Sequence, residues 1–150
     1  MNKASIIKNI RQAKPEHIEW IKQANKLIQG LPQNEIHKPV ECSECNFTHW
    51  YEKEGHKLVN IPQLRALEEL HQDIHKTYTA IYYITFDRRR KPRTTLITEG
   101  AEVPVDERPF RDKKLKELEK KTVTMIRSLN EIEKKVEAMT DQDFNNGWLI

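Results

Sequence analysis

Cysteines and long apolar runs are scarce in this 150-residue sequence. Its two cysteines, Cys42 and Cys45, are too few for the disulfide framework of a small secreted domain, so a cysteine here indicates metal or redox chemistry. No segment approaches the roughly 20 apolar residues of a membrane span. The N-terminus MNKASIIKNIRQAKP is too polar for a secretory signal. We therefore expect a cytoplasmic protein that makes no contact with a membrane.

A strong excess of charge is also missing. Lys and Arg number 26 against 23 Asp and Glu, which gives a net charge of +3. This value is too small to predict nucleic-acid binding, although the run DRRRKPR at 87–93 is locally basic. We interpret that run as solvated surface, with contact to an acidic partner as the alternative. The length of the chain, without an internal repeat, predicts a single domain over residues 1–150.

The apolar residues recur at spacings of three and four, which is typical of helices with one buried face. The first helix is predicted from about Ala4 to Gln29. Pro15 lies inside it and should kink the helix or restart it. A short helix is predicted within 41–55, and a third helix from Pro62 to about Phe86.

The last part of the chain combines an irregular stretch with a long periodic one. Residues 87–108 are predicted to form a long loop, or a small hairpin, inserted before the last helix. That helix, over 109–139, carries a heptad seam that could pack inside the chain or pair with a second chain. The expected fold is an all-α, antiparallel four-helix bundle. The predicted heptad seam consists of Leu115, Leu118, Thr122, Met125, Leu129, Ile132, Val136 and Met139.

Three histidines fall on the predicted buried faces. His17 lies on the apolar stripe of the first helix, and His71 fills the one gap in the apolar stripe of the third. His75 follows His71 by four residues, so both project from the same face and could grip one ion. The alternative is that each histidine forms a local hydrogen bond in the core, because a buried ring nitrogen needs a partner.

A structural zinc site needs a fourth donor, and the residues themselves leave it open. The candidates are Cys42, Cys45, His37, His49 and His56. A thiolate is a soft, negatively charged donor, which suits zinc and disfavours magnesium or calcium. The three remaining histidines are more typical of surface positions.

Three short motifs carry a family resemblance. HIEW at 17–20, CNFTHWY at 45–51 and LEELHQDIH at 67–75 resemble, in order, the three motifs of the chemoreceptor zinc-binding domain. In that family the motifs are His-x-x-Trp, Cys-x-Phe/Leu-Gly-x-Trp and His-x-x-x-His. The resemblance covers about residues 14–84. It implies that zinc is the cofactor and that its ligands are His17, Cys45, His71 and His75.

Two residues depart from the family pattern. Thr48 stands where the family has glycine, so we expect a local rearrangement without loss of a ligand. Cys42 is an extra thiol, which is interpreted either as a small buried or surface residue or as a resolving thiol for Cys45 after zinc is lost. Trp20 and Trp50 are expected to pack in the core near the ligands.

The resemblance implies a zinc-binding sensory domain of bacterial signalling, of the kind fused to chemoreceptors or diguanylate cyclases. We expect it to respond to zinc or to oxidants. Four protein ligands leave no open position for substrate, so we expect no enzymatic activity. The chain has no room for an output domain, so a signalling partner such as a chemoreceptor or diguanylate cyclase, or a homodimer, should carry the response.

Three alternatives remain at this stage. The zinc site could be purely structural, within an interaction module. A non-haem di-iron bundle of the haemerythrin type would require bridging carboxylates and a Glu-x-x-His motif, which no predicted inward face carries. An oxidoreductase built on CSEC at 42–45 would require a βαβ context, which the predicted elements lack.

Overall fold

The computed structural model describes residues 2–29, 39–90, 95–98, 101–104 and 108–143. Within these ranges the chain forms a bundle of α-helices with a small β-hairpin, which confirms the expected all-α fold. No helix in these ranges combines the length and the apolar character that a membrane span requires. The helices are α1 (Lys3–Ile28), α2 (Asn46–Lys53), α3 (Pro62–Arg90) and α4 (Arg108–Ala138), with 3₁₀ turns at Cys42–Glu44 and Gly55–Lys57 and strands β1 (Thr95–Thr98) and β2 (Ala101–Pro104).

Helix α1 begins one residue before the predicted start and is continuous. The Asn2 side chain caps it by accepting a hydrogen bond from the Ser5 backbone N–H at 2.8 Å. Of the two predicted outcomes, a kink or a restart, the restart does not occur, because Pro15 lies inside one continuous helix. Proline removes only one helical hydrogen bond, and buried side chains on both sides of it hold the helix in place.

The short predicted helix within 41–55 is instead three pieces. A 3₁₀ turn over Cys42–Glu44 ends at Cys45, whose backbone is extended at φ −70° and ψ 137°. Helix α2 follows directly, and a second 3₁₀ turn comes after it. Because Cys45 lies outside any helix, Cys42 and Cys45 do not follow each other on one helical face.

Helix α3 starts at Pro62 as predicted but continues to Arg90, beyond the predicted end near Phe86. Arginine has a high helix propensity, so the charged residues prolong the helix without an apolar stripe. The predicted small hairpin is present, with β1 and β2 antiparallel and Thr98 opposite Ala101. The side chains of the basic run at 87–93 lie outside the described residues, so its interpretation as solvated surface stays a prediction.

Helix α4 packs against both α1 and α3. Lys121 donates a hydrogen bond to Thr77 and Lys135 to Gln63, so α4 runs antiparallel to α3. The heptad seam therefore packs inside the chain, and it no longer supports the predicted homodimer, which stays a prediction. The buried seam residues are Leu118, Thr122, Met125, Leu129, Ile132 and Val136, with Leu115 and Met139 partly buried beside them.

The opposite ends of α1 and α4 are joined by polar contacts. Lys3 Nζ donates to the Met139 carbonyl oxygen at 3.0 Å. Arg11 Nη2 pairs with Glu137 at 3.1 Å, and Arg11 also pairs with Glu133. Exposed ion pairs of this kind contribute about 0–1 kcal/mol each. These contacts make α1 antiparallel to α4, so α1 and α3 run parallel to each other.

Candidate metal centre

The four residues that the resemblance singles out lie together in the bundle. His17 comes from α1, Cys45 from the extended residue before α2, and His71 and His75 from successive turns of α3. One donor atom from each lies within 4.8 Å of the others, and all four residues are buried. Three separate segments of the chain therefore supply one compact donor set.

His71 is the centre of this cluster. Its Nε2 atom lies 2.8 Å from His17 Nε2 and 3.0 Å from His75 Nε2. The Cys45 sulfur lies 3.5 Å from His71 Nε2 and 3.8 Å from His17 Nε2. All three histidines thus turn Nε2 into the cluster, and the Cys45 sulfur contacts the Nε2 atoms of His17 and His71.

Four of the six donor separations are close to those of a tetrahedral zinc site, and all six are within 4.8 Å. Zinc bond lengths of about 2.0–2.1 Å to nitrogen and 2.3 Å to sulfur put tetrahedral nitrogens roughly 3.3 Å apart, and nitrogen and sulfur roughly 3.6 Å apart. In the structure, two nitrogen pairs are 2.8 and 3.0 Å apart, and two nitrogen–sulfur pairs are 3.5 and 3.8 Å apart. Imidazole and thiolate donors suit zinc better than hard cations such as magnesium.

Two backbone carbonyls fix the orientation of His17 and His75. His17 Nδ1 lies 2.7 Å from the Ala13 carbonyl oxygen, and His75 Nδ1 lies 2.9 Å from that of Val40. A carbonyl only accepts, so we infer that the proton of each ring sits on Nδ1. The Nε2 lone pairs then point at one another, an arrangement that a cation at their centre would satisfy.

Burial keeps the histidines of the metal-free cluster neutral. Burial, together with the neighbouring His17 and His75, lowers the pKa of His71 from 6.5 to about 3. The pKa of His17 and that of His75 are also lowered, again mainly by burial. Neutral imidazole is the form that binds a metal ion, so the site disfavours protons and keeps its nitrogen donors available.

Cys45 responds to burial in the opposite direction. Burial raises the pKa of its thiol, although the backbone N–H groups of Phe47 and Thr48 at the start of α2 oppose this effect. A buried thiol without a cation therefore stays protonated, whereas a bound metal ion would deprotonate it. The sulfur of Cys45 and the metal ion would thus stabilise each other.

Aromatic side chains enclose the donors. The Phe47 ring meets the edges of His17 and His71, with centroids 6.5 and 4.9 Å away. Trp20 lies beside His75, with centroids 5.1 Å apart, and Trp50 is buried behind Phe47. This packing covers much of the donor set and restricts the rotamers of the rings.

Two cavities reach the centre from different sides. One, of about 340 Å³, is lined by His17, Cys45 and Trp20 and by three glutamates on α1 and the first 3₁₀ turn. The other, of about 620 Å³, is lined by Cys42, His71 and His75 together with residues of α2 and α3. Each of the four donors thus lines one of these two cavities.

The remaining sequence candidates lie outside the donor set. The Cys42 sulfur contacts His71 on the opposite ring nitrogen, Nδ1, at 3.6 Å. His49 and His56 are exposed, and each faces a backbone carbonyl. His37 falls outside the described residues. No sequence motif signals the contacts that hold the Nδ1 atoms, since two of the three partners are backbone oxygens.

The donor set also bears on the alternatives. It contains a sulfur and no carboxylate, whereas a di-iron site needs bridging carboxylates. Cys42 and Cys45 are free thiols, and they lie on different sides of His71. The described part of the chain thus offers a mononuclear nitrogen and sulfur site.

Comparison with protein-family models matches residues 17–82 to the chemoreceptor zinc-binding domain. Comparisons with curated proteins and with solved structures find no significant match. The matched segment begins at His17 and includes all four clustered donors, so the family description and the geometry agree on zinc. The family is a zinc-binding signalling domain rather than a catalytic one. Residues 17–82, which include all four donors, are therefore similar to the chemoreceptor zinc-binding domain.

Proposed function

We propose that this protein is a zinc-dependent sensory domain of bacterial signalling, of the chemotaxis or cyclic-di-GMP type. In this proposal one zinc ion binds through His17, Cys45, His71 and His75 and makes the domain responsive to zinc or to oxidants. The observation that carries the proposal is the convergence of three Nε2 atoms and one sulfur, all buried, from three segments of the chain. Four protein ligands leave no coordination position for substrate, which favours sensing over catalysis.

Cys45 supplies the redox chemistry of the proposal. Its sulfur is the one readily oxidised donor in the cluster, and a zinc-bound thiolate is nucleophilic. Hypochlorous acid would transfer an oxygen equivalent to this thiolate, giving a sulfenic acid and releasing chloride. The sulfenic acid lacks the negative charge of the thiolate, so the three histidines would hold zinc less tightly.

The segment from Val40 to α2 is the part of the fold that could report this change. It contacts the site at three points, because the Val40 carbonyl oxygen accepts a hydrogen bond from His75, Cys42 contacts His71 and Phe47 packs on His17. Zinc loss would remove the coordination bond that links this segment, through Cys45, to the histidines of α1 and α3. We expect this segment to move relative to α1 and α3, and a partner would detect the movement.

Metal analysis tests the zinc site. Protein purified without added metal should contain one zinc per chain and no iron. Cys45→Ala should weaken zinc binding by at least a hundredfold, because it removes the only charged ligand. His56→Ala is the matched control, since His56 is exposed and outside the cluster, and it should bind zinc as the wild type does. Two irons per chain would support the di-iron alternative instead.

Oxidant titration separates a sensor from a purely structural site. Zinc-loaded protein is treated with hypochlorous acid while free zinc, helix content and the oxidation state of Cys45 are followed. Zinc release together with Cys45 oxidation, before methionine oxidation, supports the sensor. Retention of zinc with an unmodified Cys45 after methionines have reacted would leave only a structural site.

The partner and the oligomeric state belong to the same proposal. We propose a cytoplasmic protein that signals through a chemoreceptor or a diguanylate cyclase, and that forms a homodimer. The heptad seam is used inside the chain, so a dimer would require another surface. Exposed Tyr83, Phe110 and Val123 are apolar candidates for it. A monomeric mass at tens of micromolar protein would contradict the dimer.

A further inference from the structure

The three histidines of the centre differ in what holds their outer nitrogen. His17 and His75 each place Nδ1 against a backbone carbonyl oxygen, at 2.7 and 2.9 Å. His71 instead places Nδ1 against the Cys42 sulfur, at 3.6 Å. A metal-bound imidazole needs an acceptor for its second N–H, because that bond fixes both the tautomer and the direction of the ring. The thiol of Cys42 occupies this position for His71.

Cys42 is itself held by a second side chain. Its sulfur lies 3.6 Å from the hydroxyl oxygen of Thr48 in the first turn of α2. Cys42 and Thr48 are the two departures from the family motifs noted in the sequence, and in the structure they touch each other. A glycine at position 48 would offer no hydroxyl. The hydroxyl of Thr48 therefore contacts the thiol of Cys42, which in turn contacts His71.

We propose that Cys42 and Thr48 are positioning residues for the metal ligand His71. The Nδ1–H of His71 donates to the Cys42 sulfur, and the S–H of Cys42 donates to the Thr48 hydroxyl oxygen. This direction leaves His71 Nε2 unprotonated and facing the other donors. The inference rests on the proposed zinc site, which it extends by an outer layer of two side chains.

Cys42 does not serve as a metal ligand in this arrangement. Nδ1 and Nε2 lie on different sides of the imidazole ring, and Cys42 contacts Nδ1 while Cys45 contacts Nε2. A thiol is a weaker acceptor than a carbonyl oxygen. His71 is thus the least firmly oriented of the three histidines, and Cys42, which is partly exposed on the larger cavity, is the outer partner that solvent reaches.

The test compares Cys42→Ala, Cys42→Ser and Thr48→Val with the wild type. Zinc affinity is measured by chelator competition, and the ligand set by the absorption spectrum of the cobalt(II) form. Loss of an outer partner typically weakens metal binding by about 10- to 100-fold, which is the result expected for Cys42→Ala. Cys42→Ser keeps an acceptor and should restore most of that loss. Thr48→Val keeps the shape but not the hydroxyl, and should weaken binding by about threefold.

Each outcome decides a different point. The number of thiolates bound to cobalt should be one in every variant, with the ligand-field bands shifted in Cys42→Ala and restored in Cys42→Ser. Equal losses in the Ala and Ser variants, or an Ala variant within twofold of the wild type, would overturn the positioning role. A lower thiolate count in Cys42→Ala would show that Cys42 is a ligand and overturn it as well. A wild type that binds no metal overturns the zinc site itself.

Discussion

Acidification should destabilise the metal-free protein through its buried histidines. The pKa of His71 is about 3 in the folded chain, because of burial and the neighbouring histidines, against 6.5 for an ordinary histidine. The unfolded chain therefore takes up this proton first as the pH falls. The stability that is present above pH 6.5 is lost progressively between pH 6.5 and 3. At pH 5, His71 alone should lower the free energy of unfolding by about 2 kcal/mol.

The measurement is urea unfolding at pH 7.5 and pH 5.0 with a chelator present throughout. His71→Gln removes the titrating ring. Between pH 7.5 and 5.0, the free energy of unfolding of this variant should therefore fall by about 2 kcal/mol less than that of the wild type. His56→Gln removes an exposed histidine outside the cluster and should behave as the wild type does. The carboxylate of Glu133 has a lowered pKa and stays ionised at pH 5, so it does not obscure the comparison.

Two results would refute this reasoning. The first is a wild-type stability that changes by less than about 0.5 kcal/mol between pH 7.5 and 5.0. The second is the same pH dependence in His71→Gln as in the wild type. Either would mean that the metal-free cluster opens to water, so that His71 is no longer buried when it titrates.

Three further predictions concern other parts of the fold. Leu129→Ala should lower the free energy of unfolding by about 3 kcal/mol, because Leu129 is fully buried. The urea midpoint should not depend on protein concentration, since the heptad seam packs within one chain. A midpoint that depends on concentration would contradict this. In zinc-loaded protein, a maleimide should label the partly exposed Cys42 before the buried Cys45. After chelation, mass spectrometry should find both cysteines labelled. Early labelling of Cys45 in zinc-loaded protein would speak against Cys45 as a ligand. Gly55→Ala should cost about 1–2 kcal/mol in thermal unfolding, because its methyl group would lie 3.2 Å from the Trp50 ring; an unchanged melting temperature would show that the ring yields.

The long helices could be predicted from the sequence because their apolar spacing leaves little choice. That spacing predicts the starts of α1 and α3 and the apolar face of α4. It also predicts the burial of His17, His71 and His75. Spacing could not tell whether the heptad seam faces the same chain or a second one, since both arrangements bury the same residues. It also missed the last turn of α3, which charged residues form without an apolar stripe.

The donor set could be predicted only in part from the residues themselves. The choice of Cys45 over Cys42 came from the resemblance, because a Cys-x-x-Cys segment treated as one helix makes the two sulfurs equivalent. The structure distinguishes them through the extended backbone at Cys45, which ends one turn and starts the next. The contact of Cys42 with His71 joins positions 29 residues apart and has no signature in either motif.

The four donors come from α1, α3 and the residue before α2, and α4 contributes none of them. Metal occupancy should therefore divide the amide protons of this protein into two classes of exchange rate. Amides of residues 42–53 should exchange far faster after chelation, because local opening there no longer has to break a coordination bond. Amides in the middle of α4 should keep the slow rate that global unfolding sets, since Met125 and Leu129 remain fully covered by the neighbouring helices. Zinc would then control the local opening of residues 42–53 and leave the packing of α4 against the other helices unchanged.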